Sequence, residues 1–283
     1  MKQHRITKSR GRNRTHRMGQ NFLSSRKVAA SIVDSLGDLS ASHVLEIGPG
    51  RGALTGLLAE RAARLTAVEL DRRLASLSAA EFVDNERTEI VHFNALRFDM
   101  VAWARSCAPL IPVVAGNIPY SITNDLLHKL IGSHEELGQV VLMVQQEVAR
   151  KITAPAGGKP YGMISVLCAY HARAEYLFTV GRGNFVPSPR VDSAVIRLDF
   201  NSPVERKAND YGVFNYLVRR LFDERRKQVQ KVLRKGSRFS IDADAIDRIA
   251  QDSGVKLSRR PEELTVDEFV RLADVLHAWE ATT

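Results

Sequence analysis

The stretch Glu46-Ile47-Gly48-Pro49-Gly50-Arg51-Gly52 decides how this sequence is read. A short apolar run, His43–Ile47, leads into it, and helical sequence follows it to about Ala63. Strand, glycine-rich turn and helix in that order make the first half of a β–α–β unit. Glycines in such a turn let the backbone adopt φ values that other residues resist and approach a bound group closely. Alone, Gly-x-Gly-x-Gly also fits a plain tight turn, so the flanking sequence has to decide.

The flanks repeat the alternation. Leu65–Leu70 reads as a second strand and Asp71–Phe82 as a helix, then Thr88–Phe93 as a third strand with helical sequence at Met100–Ser106. Ile111–Gly116 is a fourth strand, Thr123 is placed to cap a helix to about Ile131, and Gln139–Val144 is a β-branched fifth strand. Upstream, Ser24 is placed to cap a helix carrying Val28, Ala29, Ile32, Val33 and Leu36, stopped by Gly37. This pattern predicts an α/β fold, a parallel sheet with helices on both faces. Past Glu147, Tyr161–Ala172 reads as helix, and Tyr176–Val180 and Val191–Phe200 as an antiparallel hairpin at the sheet edge. Residues 201–210 are polar and aperiodic, and only helical patterns follow Tyr211. Three parts are expected: a basic arm at 1–18, an α/β domain at 19–200 and a smaller all-helical domain at 201–283.

Glu69 ends the second strand 17 residues after Gly52, where a carboxylate can accept hydrogen bonds from a ribose diol. It could equally pair with Arg72 or Arg73. Glu46 precedes the glycines by two residues, and the glycines run G-x-G-x-G, not G-x-G-x-x-G. Both features resemble the S-adenosylmethionine-binding turn of Rossmann-like class I methyltransferases. The resemblance implies that Glu46, Gly48, Gly50, Gly52 and Glu69 surround the methyl donor, with a polar residue near its adenine at the end of the third strand. Asn94 stands there.

The fourth strand ends at Asn117-Ile118-Pro119-Tyr120. This string resembles the Asn/Asp-x-Pro-aromatic motif of methyltransferases acting on exocyclic amines. An adenine amino group is a poor nucleophile because its lone pair is delocalised into the ring. The Asn117 side-chain oxygen and the Ile118 carbonyl, left free before Pro119, could accept both N–H groups and draw the nitrogen toward a tetrahedral shape. Tyr120 would stack on the base. The alternative is a Pro-stiffened strand end with a buried tyrosine.

Gly19-Gln20-Asn21-Phe22-Leu23, the glycine turn, Asn117–Tyr120 and Phe185-x-Pro187-x-Pro189-x-Val191-Asp192-Ser193 occur in the order seen in the rRNA adenine dimethyltransferases. That family includes KsgA-type enzymes of the small ribosomal subunit and Erm-type resistance enzymes of the large subunit. The resemblance runs from about residue 19 to the C-terminus. It implies N6,N6-dimethylation of adenosine in RNA, with Asn21, Leu23, Gly48, Glu69, Asn94 and Asn117 contacting the methyl donor. Phe185, held at the surface by its Pro-x-Pro turn, would be the second aromatic face on the base. The family usually has Asp at the position of Asn94, which implies weaker cofactor binding here.

Charge points to the same kind of substrate. The formal net charge is +9, and residues 1–27 hold nine basic residues and no acid, leaving 32 of each sign in the rest. Arg10, Arg12, Arg14 and Arg17 are candidate RNA contacts in this arm, which also has the composition of an organellar leader. A second cluster, Arg219, Arg220, Arg225, Arg226, Lys227, Lys231, Arg234 and Lys235, accompanies an apolar helical stripe from Val213 to Phe222. It is expected to pack by one face and offer cations to RNA by another. Phe222–Lys227 followed by Arg260–Phe269 resembles the KsgA pattern, whereas the basic leader resembles Erm-type enzymes; the small-subunit reading is taken first. Relatives that act as RNA-binding assembly or organellar transcription factors offer a non-catalytic alternative.

No apolar run approaches the roughly 18 residues of a membrane span, and Cys107 and Cys168 have no metal-ligand spacing. A cytoplasmic monomer without metal, working on ribosomal RNA within a small-subunit particle, is expected.

Overall fold

The computed structural model describes residues 21–235, 239 and 241–282. The arm, with Arg10, Arg12, Arg14 and Arg17, and the pair Gly19-Gln20 lie outside the described residues.

The first half of the chain alternates strand and helix: β1 (Phe22–Leu23), α1 (Arg26–Asp34), β2 (Ser42–Ile47), α2 (Thr55–Arg61), β3 (Arg64–Glu69), α3 (Arg72–Glu81), β4 (Thr88–His92), α4 (Met100–Ser106), β5 (Ile111–Asn117), α5 (Thr123–Gly132) and β6 (Gln139–Gln145). Then follow α6 (Gln146–Ile152), α7 (Met163–His171), β7 (Arg173–Val180), β8 (Phe185–Val186) and β9 (Ser193–Asp199). Four helices end it: α8 (Tyr211–Asp223), α9 (Val229–Arg234), α10 (Ala243–Ser253) and α11 (Val266–Thr282). The main sheet has the order β4-β3-β2-β5-β6-β9-β7, parallel from β4 to β6 and antiparallel at β9 and β7. The hairpin expected from Tyr176–Phe200 forms the far edge. Strand order reverses between β2 and β5, and in open α/β sheets ligands bind in the crevice at that point. Ile47 lies opposite Gly116, and Glu69 opposite His92, so the ends of β2, β3, β4 and β5 share one edge.

Two cap assignments change. Ser25, not Ser24, caps α1, its hydroxyl accepting from Val28 N; the Ser24 hydroxyl instead donates to Asn184 O at 2.9 Å. Thr123 is the first residue of α5, not its cap, because a 3₁₀ turn at Tyr120–Ile122 enters the helix. The helix α6 was not legible: its seven residues hold Glu147, Arg150 and Lys151 and bury only Ala149 and Ile152.

Helices α1 and α2 cover one face, packing Ile32, Val33 and Leu58 against Val44, Val113 and Val141. The opposite face carries Leu126, Leu130 and Val166 on Val114, Leu142 and Ile196. The same apolar cluster continues through Phe214, Leu217 and Phe269 of the C-terminal helices. Val204 and Ala208 of the polar connection pack on it too. The helical segment is therefore seated on the sheet's second face by hydrophobic burial.

Candidate active site

The glycine turn takes the backbone into the left-handed region three times, with φ of 68° at Gly48, 59° at Gly50 and 78° at Gly52. Gly50 meets a second constraint, since a Cβ there would lie 3.1 Å from the Phe22 ring. Glu69 is buried, and its carboxylate accepts from Gly50 N (Oε2, 3.0 Å) and from Asp71 N (Oε1, 2.8 Å). It braces the turn against the entry to α3 and makes no ion pair with Arg72 or Arg73. Each oxygen keeps a second lone pair for a ligand. Beneath the turn Glu46 is buried within β2, and its Oε2 has no partner among the described residues. Burial pushes the Glu46 carboxyl up to about 8; the Thr55 hydroxyl opposes the shift and the Glu69 charge adds to it.

A cavity of about 590 Å³ opens at this edge. Asn21, Leu23, Glu46, Gly48, Gly50, Glu69, Asn94, Asn117, Ile118, Pro119, Tyr120 and Phe185 all line it. Of the catalytic and cofactor candidates, Gly52 alone is outside its lining; its N–H donates to Pro49 O at 2.9 Å and closes the turn. Asn94 uses Oδ1 to accept from Leu96 N at 2.9 Å, which fixes its amide at the cavity wall.

At the end of β5, Asn117 Nδ2 donates to Asn21 O at 3.2 Å. The amide is thereby oriented, and its Oδ1 accepts no hydrogen bond from the described residues. Ile118 N donates to Met143 O at 3.0 Å, while its carbonyl, ahead of Pro119, likewise accepts none. The Tyr120 hydroxyl lies 2.8 Å from Ser193 Oγ; burial raises its pKa, the Ser193 bond opposes the rise and Asp192 adds to it. Phe185 lines the cavity at 3% exposure; β8 pairs antiparallel with β1, Leu23 opposite Phe185, and the ring packs in the cluster with Leu23, Val180 and Val195. In the turn that follows, Pro187 and Ser188 are exposed and Pro189 is buried.

Sequence reasoning missed Gly116. A Cβ at this position would lie 2.6 Å from Ile47 O, so β5 approaches β2 closely just before Asn117. A glycine inside a strand was the available signal. Ser193 and the Asn21 carbonyl were also missed, since the contacts that give them a role span 73 and 96 residues.

The second basic cluster is not on one helix. Helix α8 buries Val213, Phe214, Leu217, Val218 and Leu221 as expected, but ends at Asp223. Arg225, Arg226 and Lys227 occupy the next turn, and Lys231 and Arg234 lie on α9. Three cations are used internally: Arg220 on Glu224 (2.9 Å), Lys235 on the same carboxylate (3.7 Å) and Arg225 on Glu262 (2.6 Å). Arg219, Arg226, Lys227, Lys231, Arg234 and Lys235 are exposed. Among the described residues no group of three His, Cys, Asp or Glu is placed to hold a metal, and no helix is long and apolar enough to cross a membrane.

A parallel sheet with a glycine turn and a bracing acid on one side of its switch-point crevice, and Asn-Ile-Pro-Tyr on the other, defines a Rossmann-like class I methyltransferase. The chain belongs to the ribosomal RNA adenine dimethylase family, whose model matches residues 11–274. It is 39% identical to the ribosomal RNA small subunit methyltransferase A of Acidobacterium capsulatum, over 90% of this chain and 89% of that protein. Identity to the protein of the same name from Pseudomonas fluorescens is 36%, over 92% of each. Among solved structures it is similar to the 23S rRNA methyltransferase ErmE, with a TM-score of 0.71, 25% identity, and 91% and 100% of the two chains covered. A dimethyladenosine transferase from Plasmodium falciparum shares the fold, with a TM-score of 0.75 at 20% identity over 88% of this chain and 95% of that one.

Proposed function

We propose that this protein transfers methyl groups from S-adenosylmethionine to the N6 amine of adenosines in small-subunit ribosomal RNA, twice per base. The observation that carries the reading is the oriented Asn117 amide: with Nδ2 held by the Asn21 carbonyl, Oδ1 and the neighbouring Ile118 carbonyl are two unspent acceptors on one cavity wall. An exocyclic amine offers two N–H donors, and two acceptors would localise its lone pair for attack on an electrophilic carbon. Tyr120, fixed through Ser193, gives the base an aromatic face, and Phe185 backs the opposite strand ribbon.

The residues present fit the methyl donor. Glu69 retains lone pairs for a ribose diol, Asn94 stands at the wall for an adenine edge, and the unpartnered Glu46 Oε2 lies beneath the turn. When bound, that group supplies a sulfonium-activated methyl; the chain's own part is to orient the amine. No side chain with a tuned pKa is needed, because attack by the amine leaves a proton that solvent can take. A base paired in a duplex cannot reach this cavity, so the target must be single-stranded or flipped.

The small-subunit choice is supported by relatives of that name at 36–39% identity over about nine-tenths of the chain, against 25% for the large-subunit ErmE. The test is to incubate the protein with labelled S-adenosylmethionine and unmodified small and large subunits separately, and to map dimethyladenosine. Label in the small subunit is expected. Label confined to the large subunit overturns the choice, and RNA binding without any transfer overturns the enzyme reading.

A further inference from the structure

A second cavity, of about 1090 Å³, lies on the far side of the glycine turn, between that turn and α3. It is continuous with the first: Phe22, Gly50, Arg51 and Leu70 line both. Arg51 from the turn, and Arg72 and Arg73 from the start of α3, bring three exposed guanidinium groups to it. None of the three pairs with a carboxylate among the described residues. The Asp71 carboxylate accepts from Arg73 N and Leu74 N as the cap of α3, and Glu81 is the other acid on the wall. The Arg51 guanidinium lies 4.6 Å from the centroid of the Phe22 ring, which holds it over the passage between the cavities.

The arrangement is costly to the fold alone. Two cations in the first turn of a helix oppose its dipole, and no acid follows Asp71 there to offset them. Leu70 is 53% exposed and Leu77 59% exposed on the same wall, an apolar floor beside the charges. Helix α1 opens the same way, with exposed Arg26 and Lys27, and its start lies on the same edge of the sheet. Unpaired arginines beside exposed apolar side chains fit a flexible polyanion whose bases can lie on the floor, which is single-stranded RNA.

We propose that this groove is a phosphodiester subsite for the RNA strand flanking the base that enters the active-site cavity. The inference rests on the RNA-methylating function above and adds a contact surface within the catalytic half, distinct from the cations of α8 and α9. The RNA strand then runs along the sheet edge past the glycine turn, and Arg72 and Arg73 position it without touching the reacting atoms.

The experiment compares Arg72→Ala/Arg73→Ala with Arg64→Ala/Arg87→Ala in the full chain. The control pair removes the same charge at the opposite edge, where β3 and β4 begin. Binding of protein-free small-subunit rRNA is measured against salt, together with methyl-transfer kinetics on unmodified small subunits and cofactor affinity. For the groove variant the slope of log K against log salt should fall by about 1.4–1.8, two contacts' worth. Its KM for small subunits should rise about tenfold or more, with kcat and cofactor Kd unchanged. The control should retain the parent slope and KM. Equal slopes for the two variants overturn the subsite, whatever the activity. Absence of transfer by the parent protein overturns the function instead, while the slopes still decide the groove.

Discussion

The two strand ends that face each other across the crevice are built on opposite plans. At the ends of β2, β3 and β4, polar groups are largely consumed inside the protein, Glu46 Oε2 excepted. Both Glu69 oxygens hold backbone amides, Asn94 Oδ1 holds Leu96 N, and Gly52 N closes on Pro49 O. At the end of β5, donors are consumed but acceptors are not: Asn117 Nδ2 and Ile118 N are bonded, while Asn117 Oδ1 and the Ile118 carbonyl are free of described partners. A site that must hold a large cofactor gains from rigidity, and braced side chains still have lone pairs to offer. A site that must stabilise a transition state gains from acceptors reserved for it. The difference can be broken at either end, and the two breaks should read out differently.

Removing the reserved acceptor should have the largest effect. Asn117→Ala is expected to lower kcat about 10²–10³-fold and to leave cofactor Kd within a few-fold, measured by single-turnover transfer and by calorimetry. Equal losses in both would mean that Asn117 serves the cofactor end. Gly116→Ala comes next. The added Cβ must push β5 away from Ile47 O, so Asn117 shifts without being altered. A displacement of about 1 Å costs about 10²-fold in rate, and kcat should fall while the cofactor affinity, set across the crevice, changes less. A variant with parental kcat would mean that the strand yields elsewhere.

Breaking the braced end should shift affinity and stability instead. Glu69→Ala leaves the Gly50 and Asp71 amides without their acceptor, at a cost of about 1–3 kcal/mol each if they stay dry. Cofactor binding should weaken at least about tenfold and the melting temperature should drop. A lost kcat at saturating cofactor would contradict the division of labour.

How far this division was legible follows from the range of each contact. The order of strands and helices came from local periodicity, and the glycine turn and Asn-Ile-Pro-Tyr are contiguous strings, so both walls of the crevice could be named from sequence. The bracing could not. Gly50 and Glu69 are separated by 19 residues and Asn117 and Asn21 by 96, and nothing in composition says that one will donate to the other. Phe185 is a related case: its place on the cavity wall was readable from its motif, but its pairing with Leu23 some 160 residues earlier was not. The α8–α9 cluster shows the reverse case, where sequence saw the charges and missed the break at Asp223 and the carboxylate of Glu262.

Glu46 extends the comparison to pH. Its carboxyl, raised from 4.5 to about 8, binds a proton in the folded protein that the unfolded chain has already released between those values. Stability from this group is therefore complete below about pH 4.5 and is lost as pH rises toward 8. Glu46→Gln should remove that decline, so its melting temperature relative to the parent should be higher at pH 8 than at pH 5. A constant difference across this range would mean that Glu46 is ionised in the folded state throughout.

Asn94 sharpens the contrast with the smallest expected change. The amide already holds Leu96 N through Oδ1, and a carboxylate in its place could do the same with one oxygen while presenting the other, charged, to the cavity. Hydrogen bonds to an ionised acceptor are roughly twice as strong as neutral ones, so Asn94→Asp should tighten cofactor binding about 3- to 10-fold. Because the change lies at the braced end, kcat at saturating cofactor should not move. If calorimetry finds the parent Kd unchanged, Asn94 does not contact the cofactor, and its amide serves only to turn the chain into Leu96.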